Sequence, residues 1–206
     1  EIYNSLLKLG FGFVEAGTVT PLKQFGNSKP RIFRLEDDGA LINRLGFNND
    51  GMEAIKNRIM SHGKKGILGI NVGPNKDTKD QKVDFCLGLK NFIDIADYIT
   101  VNISSPNTEG LRDFHNQEKL KDLLLALNKI KKDNKTDIPL LLKISPDIED
   151  HRISEIVNVA TKNNISAIIL TNTTEGNRDK LISDTKKEKG GLSGVPLQKI
   201  STNMIK

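Results

Sequence analysis

"DYITVNISSPNT" (residues 97–108) opens with bulky and β-branched residues and closes in Asn, Ser, Pro and Thr. Ser, Pro and Asn are ordinary turn formers, so taken alone the stretch is a strand running into a surface loop. Four other runs share its form: FGFVEAG (11–17), GILGINVG (66–73), IPLLLKIS (138–145) and SAIILTN (166–172). Each places apolar residues at consecutive positions, the pattern of strands covered on both faces.

Amphipathic segments separate these runs. Leu120, Leu123, Leu124, Leu127 and Ile130 form one stripe. Val83, Cys86, Leu87 and Ile93 form a second, Ile153, Ile156, Val157 and Ala160 a third, and Met52, Ile55 and Ile59 a shorter one. Helical spacing of this kind marks a core-facing side, and no cofactor role is read into it. The resulting alternation of strand and helix predicts an α/β fold with a parallel sheet. In PRIFRLEDDGALINRL (30–45), Asp38-Gly39 lies between two apolar segments and predicts a β-hairpin. EGNRDKLISDTKKEKGG (175–191) is polar, ends in glycines and predicts a mobile surface loop.

A length of 206 residues suits one domain over residues 1–206. The net charge of +5 comes from lysines interspersed with acidic residues, which argues against a nucleic-acid partner. Cys86 is the only cysteine, which excludes an intrachain disulfide and a cysteine zinc site and fits reducing surroundings. His62, His115 and His151 lack metal-ligand spacing and are expected at the surface. No apolar run is long enough to cross a bilayer, and the first residues are not a signal peptide. EIYNSLLKLG at one end and LQKISTNMIK at the other both fall inside helical patterns, so both ends look like cuts.

The polar residues answer what the opening stretch is for. The first strand ends at Gly17-Thr18, the second at Asn71, and the third at Asn102 with Ser104 and Ser105. The fourth ends at Lys143 and the fifth at Thr171-Asn172-Thr173. In parallel α/β folds the carboxyl ends of the strands share one side, so these groups are expected around one pocket. The asparagines offer donors and acceptors suited to a flat heterocycle. Lys143, inside LLLKIS, needs an anionic partner, and with no carboxylate among the other strand ends that partner is expected to be a ligand. GGLSG (190–194) could offer backbone N–H groups to an anion. Neither GxGxxG after a strand nor GxSxG is present, which disfavours a nicotinamide site and a serine hydrolase.

FVEAGTVTP, NRLGFNNDG, GINVGPNK, VNISSPNT, LLLKISPD, LTNTT and GGLSGVPL, in this order along the whole chain, resemble the class 2, quinone-dependent dihydroorotate dehydrogenases. The resemblance implies a (β/α)8 TIM barrel with FMN above the strand ends, represented here by about five strands plus the hairpin. It implies oxidation of dihydroorotate to orotate in pyrimidine synthesis, with electrons passing through FMN to a quinone. By the same resemblance Ser105 is the catalytic base, helped by a relay because serine alone is a poor base. Thr108 and Phe47 shape a buried water path beside it. Thr18, Asn71, Asn102, Lys143, Thr171 and Gly194 match cofactor-binding positions, with Gly17 and Ser193 as neighbours. Asn43, Asn102, Asn107, Asn172 and Thr173 match groups that bind the pyrimidine, and the loop Asn43, Arg44, Leu45, Gly46 and Phe47 closes over it. Arg34 resembles an arginine at the quinone entrance.

The same family places one strand before residue 1 and two after residue 206, and puts its membrane-docking helices upstream. A barrel short of three strands would expose sheet edges and is expected to be unstable alone. The implied location is peripheral, on the cytoplasmic side of the bacterial inner membrane, or alternatively on the mitochondrial inner membrane. Two other readings follow from the residues alone. A lysine on a barrel strand can form a Schiff base, which would make the chain an aldolase acting through Lys143. The asparagines could also serve a non-catalytic module that binds a nucleobase-like ligand.

Overall fold

The computed structural model describes residues 2–206. A short helix α1 (Tyr3–Lys8) leads into β1 (Phe13–Val19), and the hairpin strands β2 (Ile32–Leu35) and β3 (Ala40–Asn43) follow. Strand and helix then alternate: α2 (Met52–His62), β4 (Ile67–Val72), α3 (Gln81–Phe92), β5 (Tyr98–Asn102), α4 (Gln117–Asp133), β6 (Leu140–Lys143), α5 (Asp150–Lys162) and β7 (Ala167–Ile169). A last strand β8 (Gly191–Gly194) and helix α6 (Val195–Ile205) complete the order.

The five predicted strands form one parallel sheet in the order β1-β4-β5-β6-β7. Successive residues of a strand point to opposite faces, and here the faces differ in chemistry. Leu68, Ile70, Val72, Ile99, Val101, Leu140 and Leu142 lie on one face, each at most 1% exposed, beneath the helices. Phe85, Leu89 and Phe92 of α3 and Leu120, Leu123, Leu124 and Leu127 of α4 cover them. Burying each such side chain stabilises the fold by roughly 1.5–3 kcal/mol, so this layer dominates the core. The helices are also started locally. Asp80 accepts from the N–H groups of Lys82 (2.9 Å) and Val83 (3.3 Å), and Asn116 from those of Glu118 (3.1 Å) and Lys119 (3.3 Å).

The other face is largely polar toward the strand ends. It carries Tyr98, Thr100 and Asn102 on β5, Asn71 on β4 and Lys143 on β6. Gly69 makes room there, since a Cβ at that position would come within 2.0 Å of the Tyr98 ring. The Tyr98 ring meets Phe13 edge-on at 6.2 Å.

Two predicted stripes hold in part, with Cys86, Ile93, Ile153, Ile156 and Ala160 against the core. On α3 the buried residues are Asp84, Phe85, Gly88, Leu89 and Phe92, while Val83 and Leu87 are exposed. On α5 Val159 is buried and Val157 is exposed. The predicted hairpin forms, with Leu35 opposite Ala40 across a turn closed by Gly39 at φ 55°. Within GGLSG, Gly191–Gly194 form strand β8, pairing antiparallel with β3 so that Leu192 faces Ile42. Leu35, Ile42, Leu181 and Leu192 make a second small core.

The segment 175–191 is packed against this small sheet, contrary to the mobile loop predicted. Arg178 donates to the carbonyls of Lys186 (3.2 Å), Glu188 (2.5 Å) and Gly190. Asp38 accepts from the N–H groups of Ile182 and Ser183. Thr174 and Leu192 exchange backbone hydrogen bonds, which fixes the small sheet beside the end of β7.

His115 also departs from its predicted surface position. It is 7% exposed, next to the start of α4. Burial, then the nearby Arg112 and Arg152 charges, push its imidazole down from 6.5 to about 4. The folded state thus holds a neutral ring at a pH where the unfolded chain has already bound a proton. Its contribution is complete above pH 6.5 and is lost as pH falls from there through 4, by on the order of 3 kcal/mol. His115→Gln is expected to flatten this acid limb in urea-unfolding midpoints measured from pH 7 down to 4.

Candidate active site

A cavity of about 420 Å3 opens at the carboxyl ends of β1, β5 and β6. Thr18, Asn102 and Lys143 form its wall on the sheet side, and Ser105 and Asn107 enter from the loop after β5. Asn172 and Thr173 enter from the segment after β7. Asn43, Leu45, Gly46 and Phe47, the chain leaving β3, form the opposite side. Eleven residues singled out in the sequence as site residues therefore share one hollow, although they come from five separate segments.

The wall is wired by side-chain hydrogen bonds. Asn102 Nδ2 donates to Thr18 Oγ1 at 3.0 Å, and Thr18 Oγ1 donates to Asn71 Oδ1 at 2.8 Å. Asn102 Oδ1 accepts from Ser104 Oγ at 2.6 Å and from its N–H at 3.2 Å. Asn172 Nδ2 donates to Ser104 Oγ at 2.8 Å. Ser105 is 5% exposed, and its Oγ accepts the Asn107 N–H at 3.2 Å. Lys143 is half-buried, and among the described residues its ammonium has no hydrogen bond and no ion pair.

Other candidates stand off the wall. Asn71 lies behind Thr18, its Oδ1 bonded to Thr18 and its Nδ2 to Glu15. Thr171 turns its hydroxyl to the Asn172 carbonyl, 2.9 Å away. Gly194 packs on the hairpin, where a Cβ would meet the Gly39 carbonyl at 2.4 Å, and Ser193 donates to the Leu41 carbonyl at 3.3 Å. Arg44 points away from the cavity. Its guanidinium pairs with Glu188 at 2.7 Å and stacks 4.5 Å from the Phe33 ring, facing an outer hollow of about 750 Å3. Arg34 is exposed on β2. Thr108 is buried, 8% exposed, in the turn after Asn107.

Sequence reasoning missed Glu15. Its carboxylate accepts from Asn71 Nδ2 at 2.8 Å and from Thr100 Oγ1 at 2.6 Å. A carboxylate therefore does stand beneath the strand ends, three residues before Thr18. The signal was present: a lone Glu inside FGFVEAG is as unusual as the Lys inside LLLKIS. Burial, then the Glu15 charge, push the neighbouring Tyr98 phenol up to about 12.

The family model for dihydroorotate dehydrogenase matches residues 1–206. The chain belongs to the dihydroorotate dehydrogenase family. It is 45% identical to the dihydroorotate dehydrogenase (quinone) of Bartonella tribocorum, over all of this chain and 58% of that protein. With the enzyme of the same name from Christiangramia forsetii it is 46% identical, over all of this chain and 61% of that protein. The crystal structure of the Eimeria tenella dihydroorotate dehydrogenase in complex with ferulenol superposes with a TM-score of 0.93 at 37% identity, covering 98% of this chain and 61% of that one. The chain thus spans about three-fifths of the length of these dihydroorotate dehydrogenases. The parallel sheet is five strands of the family's TIM barrel.

Proposed function

We propose that the full-length protein is a flavin enzyme that oxidises dihydroorotate to orotate, with FMN as the flavin and a quinone as final acceptor, for pyrimidine nucleotide synthesis. One observation carries this reading. An unpartnered ammonium, Lys143, and a buried hydroxyl, Ser105, line the same cavity, among the carboxamides of Asn102, Asn107 and Asn172.

The residues suit a flavin. A half-buried ammonium without an acceptor is costly, and an electron-rich heterocycle supplies one. Gly17 at the wall has no side chain, and a Cβ there would meet the Asn71 carbonyl at 2.4 Å. The volume is within the range of small-molecule sites. A flavin held here by Thr18, Asn102 and Lys143 would supply the acceptor for the hydride from C6 of dihydroorotate. Ser105 takes the C5 proton on the side of its oxygen not occupied by the Asn107 N–H, while its own hydroxyl proton passes on through the relay that a serine base requires. Asn43, Asn107, Asn172 and Thr173 hold the pyrimidine and its carboxylate. Lys143 places positive charge where negative charge builds up, and Thr18 and Asn102 orient the same ring edge. Asn71 and Thr171 act from behind that wall. Gly194, Arg44 and Leu45 contribute backbone and loop shape.

Among the described residues no helix is long and apolar enough to cross a membrane. In this reading the contact with the quinone's membrane is peripheral and made by other parts of the full-length protein, on the cytoplasmic side of a bacterial inner membrane.

Full-length protein is expected to be isolated yellow, and its flavin absorbance to bleach when dihydroorotate is added without oxygen, recovering on addition of a quinone. A folded but colourless protein, or flavin indifferent to dihydroorotate, overturns the reading.

A further inference from the structure

Glu15 lies below the cavity, yet its carboxylate ends a hydrogen-bond chain that runs around the strand ends. A carboxylate only accepts, so Asn71 must turn Nδ2 toward Glu15 (2.8 Å) and Oδ1 toward Thr18. The Thr18 hydroxyl then donates to Asn71 and accepts from Asn102 Nδ2. Asn102 Oδ1 accepts twice from Ser104, and Ser104 Oγ accepts from Asn172 Nδ2. Asn172 Oδ1 ends the run by accepting the Thr173 N–H at 2.8 Å. Every donor points the same way, toward Glu15.

The other end enforces the same direction independently. The backbone N–H groups of Ser104 and Thr173 can only donate, so the carboxamides of Asn102 and Asn172 must present oxygen to them. Both oxygens are thereby used up. What Asn102 and Asn172 have left for the cavity is the second hydrogen of each Nδ2. With the Lys143 ammonium, this side of the cavity offers donors and no free carboxamide oxygen.

We propose that Glu15 is a positioning residue: by fixing the Asn71 carboxamide it commits the Thr18 hydroxyl hydrogen to Asn71, so that Thr18 has only a lone pair left for the cavity, beside the donors of Asn102, Asn172 and Lys143. A ligand edge that sets an N–H opposite Thr18 and carbonyl oxygens, unprotonated ring nitrogens or a carboxylate opposite Asn102, Asn172 and Lys143 meets that requirement. The proposal rests on the reading of this cavity as the flavin and pyrimidine site. It also implies that direction matters more than charge at Glu15. A glutamine there keeps an acceptor for Asn71 and can still reach Thr100, whereas a leucine leaves the Asn71 amide free to turn over and the Thr18 hydroxyl free to point elsewhere.

The test uses full-length Glu15→Gln and Glu15→Leu beside the unsubstituted protein, with two readouts. In FMN titrations of the flavin-stripped proteins, the glutamine variant is expected within about twofold of the original dissociation constant and the leucine variant about tenfold weaker. In NMR of the flavin-free proteins, the carboxamide hydrogens of Asn71 are expected to exchange slowly in the original and the glutamine variant and fast in the leucine variant, while those of Asn102, held by the Ser104 N–H, serve as the internal reference. Equal FMN affinity and equal exchange in all three overturn the proposal. So does a glutamine variant as impaired as the leucine one, which would make charge the operative property. If the unsubstituted protein binds no FMN, the cofactor reading fails, while the exchange measurement still decides whether Glu15 orders the wall.

Discussion

Ser105→Ala in the full-length protein is expected to slow dihydroorotate oxidation about 10²–10⁴-fold, the range for losing a positioned general base, while orotate binds within about threefold of its original affinity. The loop that carries Ser105 is held by groups other than its own hydroxyl. Arg112 donates from Nε to the Ser104 carbonyl at 3.2 Å and reaches both Glu175, at 2.9 Å, and Asp147, at 3.2 Å, through Nη1. Asp147 in turn accepts from Thr174, so the segments after β5, β6 and β7 are tied together. Removing the Ser105 Oγ deprives the Asn107 N–H of its acceptor, a loss of about 1 kcal/mol that leaves Asn102, Lys143 and Asn172 in place. Stopped-flow flavin reduction separates the two contributions. A reduction rate unchanged in the variant would remove Ser105 from the chemistry, and orotate binding lost in parallel with rate would make it a binding residue only.

The strands were legible because their signal is local and strong. Runs such as GILGINVG and DYITVNIS concentrate β-branched and bulky residues over a few positions, and each became a strand of the parallel sheet. The polar strand ends were legible for the same reason, since Asn or Lys at the end of an apolar run has few structural excuses. What escaped was whatever depends on partners distant in sequence. GGLSG has the composition of a loop and becomes β8 only because β3 offers it a ladder. The segment 175–191 hides one apolar anchor, Leu181, and one arginine, Arg178, among lysines and acids, and these two hold it down. In VDFCLGL nearly every position is apolar, so periodicity alone could not choose between the face bearing Val83 and Leu87 and the face bearing Phe85 and Leu89. Arg44 sits in a loop whose neighbours all line the cavity, yet the acceptor that claims it, Glu188, lies 144 residues away.

Lys143 yields the second large effect, and its direction differs between the flavin-free and the loaded protein. With no ion pair among the described residues, the ammonium in the flavin-free protein is a half-buried charge whose cost the fold does not offset. Lys143→Met removes that charge and keeps an unbranched chain of similar reach, so the flavin-free variant is expected to melt at the same temperature as the original or higher. The loaded protein should behave in the opposite way. FMN affinity is expected to fall at least about tenfold, and flavin reduction by dihydroorotate about 10²-fold, because the positive charge opposite the developing negative one is gone. Lys143→Arg, which keeps the charge in a bulkier planar form, should recover part of the reduction rate. A structural lysine would lose stability with and without flavin alike, so a drop in the melting temperature of the flavin-free Lys143→Met protein would count against the ligand-facing role. The aldolase alternative is separated by mass: borohydride with a carbonyl substrate would leave an adduct on Lys143 if that residue formed a Schiff base, whereas a charge that acts only through space leaves the residue unmodified.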